Sequence, residues 1–249
     1  MSGMQSTTVG ANLVVGVLGG MGPAATADFH TKLVRATPAH TDQQHLPLII
    51  WSDPTVPDRS AALLNMGPDP TPWLMRGARA LKAAGAGIIA VPCNTAHAFL
   101  AHVERETGVG IVHMIDETVQ HIATVNPDIR GVGLLATTGT IRAHLYQDWL
   151  ERAGYSVLLP TAQEQEAVVM RVIRSVKAGH HDLDLIRQLH ALSESLASRG
   201  AQILIAGCTE LPLVLGEDDI PLPVVDPGQI LAHAVVRAAY RPGVVPDTA

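Results

Sequence analysis

The amino-acid sequence lacks several features that would point to common functions. No run of lysine and arginine is long enough to form a phosphate-binding surface, and the formal net charge of −6 argues against a nucleic-acid partner. No apolar segment approaches the roughly 18 residues of a membrane span, and residues 1–13 lack the basic and apolar regions of a signal peptide. No H-E-x-x-H motif or cysteine/histidine cluster predicts a metal site. We therefore expect a soluble cytoplasmic protein that acts on small molecules, without a nucleic-acid, membrane or metal partner.

A nucleotide site is not favoured either. The segment from Gly16 to Pro23 is rich in glycine and follows a predicted strand, but it lacks the Lys-Ser/Thr pair of a phosphate-binding loop. Its glycines also depart from the G-x-G-x-x-G spacing. We interpret this segment as a tight turn in which the main chain approaches a ligand closely.

The residues that are present describe a globular protein. The 249-residue chain is 47% hydrophobic and 16% charged, which is typical of a folded protein with one large domain or two smaller ones. The chain has only two cysteines. Since nothing suggests secretion, we expect both to be free thiols.

These two cysteines end two copies of one sequence pattern. Residues 84–95 read AGAGIIAVPCNT and residues 199–210 read RGAQILIAGCTE, which places Cys93 and Cys208 115 residues apart. Two further pairs repeat with offsets of 117 and 110: VGVL at 15–18 with VGLL at 132–135, and the apolar runs that end at Asp116 and Asp226. Three offsets this similar indicate that one ancestral unit was duplicated.

Each copy alternates short apolar runs with longer amphipathic stretches, a pattern that predicts a parallel sheet covered by helices. The fold class is therefore α/β, with a mostly parallel sheet in each half. We predict strands at 13–18, 46–51, 87–91, 111–115, 131–135, 155–159, 202–206 and 222–225. We predict helices at 72–84, after Cys93 with a stop at Gly108, at 164–178 and at 183–198.

Two aspartates mark the predicted domain boundaries. Asp116 and Asp226 each follow a strand and precede a helix, as N-cap residues do. The two helices that they begin could cross between domains. We therefore predict a first domain from residues 1–115 plus 226–249 and a second domain from residues 116–225.

Both cysteines are candidate catalytic residues. Ligands and catalytic groups gather at the carboxyl ends of parallel strands, so both thiols should point into a crevice. A helix is expected to begin just after Cys93 and Cys208, and its positive end would favour the thiolate. A single free cysteine is more often a small buried apolar residue. Two cysteines at equivalent strand ends favour a functional pair, since inversion of a carbon centre requires two acid/base groups that face each other.

Other polar residues are ambiguous from spacing alone. The turn Thr137-Thr138-Gly139-Thr140 offers hydroxyl and N–H groups that suit a carboxylate. Spacing alone favours surface charges for Arg59 and Lys177, as for most arginines and lysines. His97, four residues after Cys93, is expected on the surface of a helix rather than as a base.

Six segments resemble the aspartate/glutamate racemase superfamily, most closely its aspartate racemase branch. The most specific are PCNTAH at 92–97 and AGCTELPLVL at 206–215. The others are GVLGGMGPAAT at 16–26, VPDR at 56–59, LLATTGT at 134–140 and VKAG at 176–179. The resemblance implies two similar domains related by pseudo-two-fold symmetry, an active site between them, and no pyridoxal phosphate, other cofactor or metal.

The resemblance also assigns residues to roles. Cys93 and Cys208 become the two acid/base residues, and Arg59 and Lys177 match the positions that bind an acidic side chain. The α-amino and α-carboxylate groups fall to Asn94, Thr95 and Thr209. Further donors to the developing carbanion come from the adjoining turns, through Met21, Gly22, Thr138, Gly139, Thr140 and Glu210.

The predicted function is therefore cofactor-independent racemisation of aspartate or glutamate by a two-base mechanism. A related activity on another acidic carbon, such as that of a hydantoin racemase or a maleate isomerase, is an alternative within the enzymes. A ligand-binding homologue without turnover is an alternative outside them. The resemblance also leads us to expect a homodimer.

Overall fold

The computed structural model describes residues 13–180, 182–215 and 220–240. It contains two four-stranded parallel sheets, with strand orders β2-β1-β3-β4 and β6-β5-β7-β8. The predicted α/β fold with two similar halves is confirmed. The strands are β1 Val15–Gly19, β2 Leu48–Ser52, β3 Ile88–Ala90, β4 Gly110–Val112, β5 Gly131–Ala136, β6 Ser156–Leu158, β7 Ile203–Gly207 and β8 Val224–Val225.

Helices connect the strands and cover the sheets. Before β5 they are α1 Pro23–Ala36, α2 Arg59–Leu63, α3 Thr71–Ala83, α4 His97–Thr107 and α5 Met114–Val125. After β5 they are α6 Thr138–Arg142, α7 Gln147–Arg152, α8 Ala162–Glu164, α9 Met170–Lys177, α10 Leu183–Ser198 and α11 Pro227–Ala239. A π-helical turn, Gln165–Val169, joins α8 to α9.

The sequence explains several of these elements directly. All residues of β1, β5 and β7 are buried, as expected for central parallel strands whose two faces are both covered. Gly108 ends α4 in the left-handed conformation with φ 65°, which a glycine adopts without steric cost. Asp226 caps α11 by accepting a hydrogen bond from the Gly228 N–H, and Pro227 occupies the first helical turn.

The prediction for Asp116 is wrong. His113 is the N-cap of α5, and its ring accepts a hydrogen bond from the Asp116 N–H. Strand β4 therefore ends at Val112 rather than at residue 115. Asp116 lies in the first helical turn, where a carboxylate is favoured by the helix dipole.

Helix packing bears on the proposed domain boundaries. Helix α11 packs against α1, and the Lys32 ammonium joins them through a 2.6 Å ion pair with Asp226. Helix α5 contributes Ile115 and Ile122 to the core formed around β5 and β7. This packing supports placing 226–240 with the first sheet and 116–125 with the second. Residues 1–12 and 241–249, which the proposal assigns to the first domain, lie outside the described residues.

The strand ends set the position of the candidate site. In each sheet the two central strands, β1 with β3 and β5 with β7, are parallel neighbours, so their carboxyl ends share one edge. Cys208 follows β7 directly, and Cys93 lies three residues after β3. Within the residues that the structure describes, no helix has the length and apolar character needed to cross a membrane.

Candidate active site

The Cys93 and Cys208 side chains line one small cavity between the two halves. Both are free cysteines, with only 6% and 7% of their surface exposed. The cavity has a volume of about 30 Å³, whereas one buried water occupies roughly 10–15 Å³ of such space. The state described here is therefore closed around the thiols. The lining residues are Met21, Asp58, Arg59, Ser60, Cys93, Asn94, Thr95, Thr137, Lys177, Cys208, Thr209 and Glu210.

Cys93 occupies a turn that its own main chain and His97 hold in place. Cys93 has an extended conformation and precedes a 3-10 turn over Asn94–Ala96. Its carbonyl oxygen accepts hydrogen bonds from the Ala96 N–H at 3.2 Å and from Nδ1 of His97 at 3.0 Å. His97 is only 5% exposed, so its expected place on the helix surface is wrong.

Asn94 has a buried side-chain amide, and only its oxygen has a hydrogen-bond partner among the described residues. Its Oδ1 atom accepts a hydrogen bond from the Tyr146 hydroxyl, which comes from the other half of the molecule. The Asn94 Nδ2 atom has no hydrogen-bond partner among the described residues. Because burying an unpaired donor is costly, the amide is suited to donate to an acceptor on a ligand.

Three threonine hydroxyls form a buried cluster that joins the halves. Thr95 Oγ1 lies 3.1 Å from that of Thr137 and 2.9 Å from that of Thr140, and the latter two are 3.0 Å apart. The Ser60 hydroxyl also donates to Thr137 Oγ1 at 2.9 Å. Thr95 and Ser60 come from the first half, and Thr137 and Thr140 from the second, so these contacts hold the cavity closed.

The remaining residues of the second turn do not line the cavity. Thr138 is partly exposed, and its hydroxyl donates to Glu166 at 2.7 Å. Gly139 lies against Ser60, so close that a Cβ atom there would come within 2.6 Å of the Ser60 Cα. Thr140 is fully buried in the hydroxyl cluster. Thr137, which the sequence did not single out as a substrate ligand, is the residue of this turn that lines the cavity.

Cys208 is held through its thiol. The Cys208 Sγ atom donates to Oε2 of Glu210 at 3.0 Å, and Oε1 of the same carboxylate forms a 2.7 Å ion pair with Lys177. Burial first, and then the Glu210 carboxylate, raise the pKa of Cys208 well above its ordinary value, while Lys177 opposes them. The expectation that a helix start favours the Cys208 thiolate is therefore wrong in this closed state.

Lys177 remains charged in the closed cavity. Burial alone would lower the pKa of Lys177, but the Glu210 carboxylate and other nearby groups raise it above its ordinary value. About a third of the Lys177 side chain, 36%, is exposed, whereas only 3% of the Glu210 side chain is. The Glu210 carboxylate therefore binds Lys177 and Cys208 in this state and does not face open space in the cavity.

Arg59 begins helix α2, which Asp58 caps. Its guanidinium donates to the carbonyl oxygens of Val56, Pro57 and Met21 at 3.1, 2.9 and 3.2 Å. Its Nε atom is buried without a partner among the described residues. This N–H and the Asn94 amide are thus two unpaired donors on residues that line the cavity.

A second chamber of about 280 Å³ adjoins the cavity, and both are lined by Met21, Asp58, Arg59, Lys177 and Glu210. Its other walls are mostly small or apolar: Gly20, Gly22, Pro23, Ala24, Pro54, Val56 and Val176. Gly20 adopts φ 92°, and a Cβ atom there would lie 2.3 Å from the Asp53 nitrogen, so this turn requires glycine. Gly22 lies beside the Lys177–Glu210 pair.

No group of three or more His, Cys, Asp or Glu side chains that could hold a metal ion occurs within 13–180, 182–215 and 220–240. Of the eleven residues predicted to bind substrate, seven line the thiol cavity: Met21, Arg59, Asn94, Thr95, Lys177, Thr209 and Glu210. Sequence reasoning missed Asp58, Ser60 and Tyr146, and it named Thr137 only as part of its turn, without a ligand role of its own. Thr137 could have been found from its place directly after β5, whereas Tyr146 reaches Asn94 only through tertiary packing.

Comparisons with known proteins give a consistent result. The family model described as Asp/Glu/Hydantoin racemase matches residues 18–235. The broad specificity amino-acid racemase RacX of Bacillus subtilis (strain 168) is 29% identical over 239 residues, which cover 92% of this chain and 100% of that protein.

Solved structures with a similar fold include two at 28% sequence identity. Picrophilus torridus aspartate racemase superimposes with a TM-score of 0.79, covering 91% of this chain and 94% of that chain. An aspartate racemase homologue from Pyrococcus horikoshii OT3 gives a TM-score of 0.72, covering 90% of this chain and 98% of that chain.

Proposed function

This chain belongs to the Asp/Glu/Hydantoin racemase family, and from that premise we propose that it interconverts the enantiomers of aspartate or glutamate by a two-base mechanism. Its relatives are amino-acid racemases, so the chain is an isomerase. The observation that carries the mechanism is that Cys93 and Cys208 line the same cavity from equivalent strand ends of the two halves. The protein acts in this proposal without a cofactor.

The reaction moves one proton off the α-carbon and another onto it. The Cys93 thiolate takes the α-proton, forming its S–H bond as the Cα–H bond breaks, and the Cys208 thiol then gives its proton to the opposite face. The closed state supports this direction, because Cys208 already carries a proton that it donates to Glu210. The other enantiomer reacts with the two thiols in the reverse protonation states.

An α-proton beside a carboxylate is far less acidic than a thiol, so the developing negative charge must be stabilised. The unpaired Asn94 Nδ2 donor supports an assignment to the α-carboxylate, where charge accumulates. Thr95 and Thr209 line the same cavity from the two turns, and their hydroxyls would add further donors. Closure of the two halves excludes water and strengthens each of these contacts.

An acidic side chain would be bound by the two cations that line both the thiol cavity and the adjoining chamber. The Arg59 Nε donor lacks a partner in the described residues, and the Lys177 ammonium is charged. Because the thiol cavity of about 30 Å³ admits only the reacting centre, the side chain would extend between these two residues toward the 280 Å³ chamber. The halves would have to separate to admit and release the amino acid.

The function is tested by incubating the protein with each enantiomer of a panel of amino acids and separating the products by chiral chromatography. We expect racemisation of aspartate or glutamate without added pyridoxal phosphate and in the presence of a chelator. Racemisation of neutral amino acids alone would contradict the acidic substrate. If no amino acid of the panel is racemised and hydantoins or maleate are consumed instead, the proposed amino-acid racemisation is wrong.

The remaining predictions about this protein concern its assembly and cell compartment. We propose that it forms a homodimer in the cytoplasm. Size-exclusion chromatography with light scattering measures the assembly, and a mass of one chain would contradict the dimer.

A further inference from the structure

His97 has two buried partners on opposite sides of its ring. Its Nδ1 atom lies 3.0 Å from the Cys93 carbonyl oxygen, and its Nε2 atom lies 3.0 Å from the Met114 nitrogen. A main-chain N–H can only donate, so Nε2 must be the unprotonated acceptor. The neutral ring then carries its proton on Nδ1 and donates it to Cys93. Both ring nitrogens are therefore occupied within the protein.

The surroundings of His97 keep it neutral. Burial, followed by the nearby His113, lowers the pKa of His97 from 6.5 to about 3. The His113 ring packs edge-on against it with the centroids 4.8 Å apart. His97 is also absent from the residues that line the thiol cavity. It can therefore neither exchange protons with a substrate near neutral pH nor touch it.

The turn after Cys208 in the second half has no counterpart of His97. With the 115-residue offset between the cysteines, the position equivalent to His97 is Pro212, which has no side-chain donor. The Cys208 carbonyl accepts a hydrogen bond from the Leu211 N–H at 2.9 Å, and the Cys208 thiol is held by Glu210. No equivalent carboxylate contacts the Cys93 thiol among the described residues. Cys93 depends instead on the main-chain geometry of its turn.

We propose that His97 is a positioning residue that fixes the Cys93 turn through the Cys93 carbonyl and thereby aims the thiol at the α-carbon. Its second bond, to the Met114 N–H, ties this turn to the first residue of α5. The rigid link between α4, the Cys93 turn and α5 keeps the sulfur in place while the halves open and close. This role rests on the proposed function, because it presumes that Cys93 acts as an acid/base group.

Two substitutions separate the two contacts. The Nδ2 atom of asparagine occupies the place of Nδ1 in histidine, so His97→Asn keeps the donor to Cys93 and loses the acceptor for Met114. The Oε1 atom of glutamine occupies the place of Nε2, so His97→Gln keeps the Met114 contact and loses the Cys93 contact. The two variants are similar in polarity, which makes each a control for the other.

The proposal predicts that His97→Gln loses about 10- to 100-fold in kcat with little change in KM, since misplacing a reacting group by about 1 Å costs on the order of 100-fold. His97→Asn should stay within about threefold of wild type, well below the tenfold that 1.36 kcal/mol of lost transition-state stabilisation would produce. The kcat–pH profile of His97→Asn should keep both limbs of the wild type, because neutral His97 does not titrate in that range.

Alkylation of the thiols by iodoacetamide gives a second readout. Mass spectrometry of one sample measures both thiols, so Cys208 serves as the internal standard for Cys93. His97→Gln should change the ratio of Cys93 to Cys208 alkylation, and His97→Asn should not. An unfolded variant would instead expose both thiols and lose its thermal transition.

Several results would overturn the proposal. Equal losses of kcat in two folded variants would mean that the donor to Cys93 is not what matters, and full activity in both would mean that the carbonyl contact is dispensable. A shifted limb in the kcat–pH profile of His97→Asn would assign His97 to proton transfer. If the wild-type protein racemises no amino acid, the proposed function itself is wrong. This outcome differs from failure of the His97 proposal, in which the wild type is active.

Discussion

The turns after Cys93 and Cys208 have the same place in two copies of one fold but hold their thiols in different ways. Asn94 and Thr95 in the first turn correspond to Thr209 and Glu210 in the second. The two residues that follow Cys93 are uncharged, whereas Glu210 in the second turn forms an ion pair with Lys177. Duplication has thus kept the main-chain frame and changed the electrostatics.

This difference has a consequence for the resting state. The two similar halves bring two sulfurs to one cavity, as the proposed reaction needs in both directions. Glu210 breaks that symmetry because its carboxylate keeps the Cys208 proton in place. In the proposed reaction, the resting protein is therefore prepared with Cys208 as the donor, and one enantiomer meets it in the correct protonation state.

The largest effect is expected from removing either thiol. Cys93→Ser and Cys208→Ser should each lower the rate of racemisation by about 10²–10⁴-fold, because a hydroxyl is a far weaker acid/base group than a thiol. Chiral chromatography measures the loss, and unchanged thermal unfolding shows that the fold is intact. Full racemisation by Cys208→Ser in both directions would mean that Cys208 is not an acid/base group, so the two turns would not have comparable roles.

Replacing the cation of the second turn should have the next largest effect. Lys177→Met removes a charged contact to an acidic side chain and should lower kcat/KM for aspartate or glutamate by about 10- to 100-fold, corresponding to roughly 1.5–3 kcal/mol. Alanine, if racemised, should be affected less. The exposed Arg174→Met serves as a control for loss of a positive charge. Equal losses for acidic and neutral substrates would mean that Lys177 acts through Glu210 alone.

Neutralising Glu210 should make the two turns more alike. Burial and the Glu210 carboxylate both raise the pKa of Cys208, so Glu210→Gln should remove the second contribution, lower that pKa and deprotonate the thiol at a lower pH. The basic limb of kcat/KM should move to lower pH, with about a tenfold loss of activity per pH unit on that limb. Alkylation of Cys208 should become faster at neutral pH.

The exposed Glu151→Gln is the matched control for the loss of one negative charge. It should leave the pH profile and the alkylation rates unchanged. A basic limb that stays in place in Glu210→Gln would show that Glu210 does not hold the Cys208 proton.

The smallest effect concerns the buried His97 of the first turn. Its pKa falls from 6.5 in the unfolded chain to about 3 in the folded protein, so only the unfolded chain takes up this proton as the pH drops below 6.5. The free energy of unfolding should therefore decrease with falling pH by up to about 1.4 kcal/mol per unit from this group. The stability is present above pH 6.5 and is lost toward pH 3.

Urea unfolding at pH 7 and pH 5 measures this contribution. Wild type should lose about 2 kcal/mol more than His97→Asn over that interval. The exposed His102→Asn is the control and should lose as much as wild type. Equal losses in wild type and His97→Asn would mean that His97 takes up a proton in the folded protein.

The sequence predicted the frame better than the chemistry within it. Parallel strands, the duplication and the place of both cysteines follow from apolar periodicity and from the repeat itself, because both are local properties of the chain. The ion pair of Lys177 with Glu210 and the hydrogen bond from Tyr146 to Asn94 join residues 33 and 52 positions apart. Such contacts depend on how the halves meet, so spacing could not reveal them.

The same distinction explains the corrected predictions. The start of a helix after Cys208 predicts a thiolate, whereas burial of the thiol, and then the nearby Glu210 carboxylate, raise its pKa. His97 was assigned to a helix surface from its position after Cys93. It is buried because α5 begins against it, with the Met114 N–H bonded to its ring.

If two thiols act on opposite faces of one carbon, the product gains its α-proton from solvent through the second thiol, and deuterium labelling detects this. One enantiomer is incubated in deuterium oxide, the reaction is stopped early, and both enantiomers are separated and analysed by mass spectrometry. The two-base mechanism places deuterium at Cα in the product enantiomer and leaves protium in the recovered substrate. Product that retains its original protium would mean that a single group moves the proton across, and would rule out the two-base mechanism.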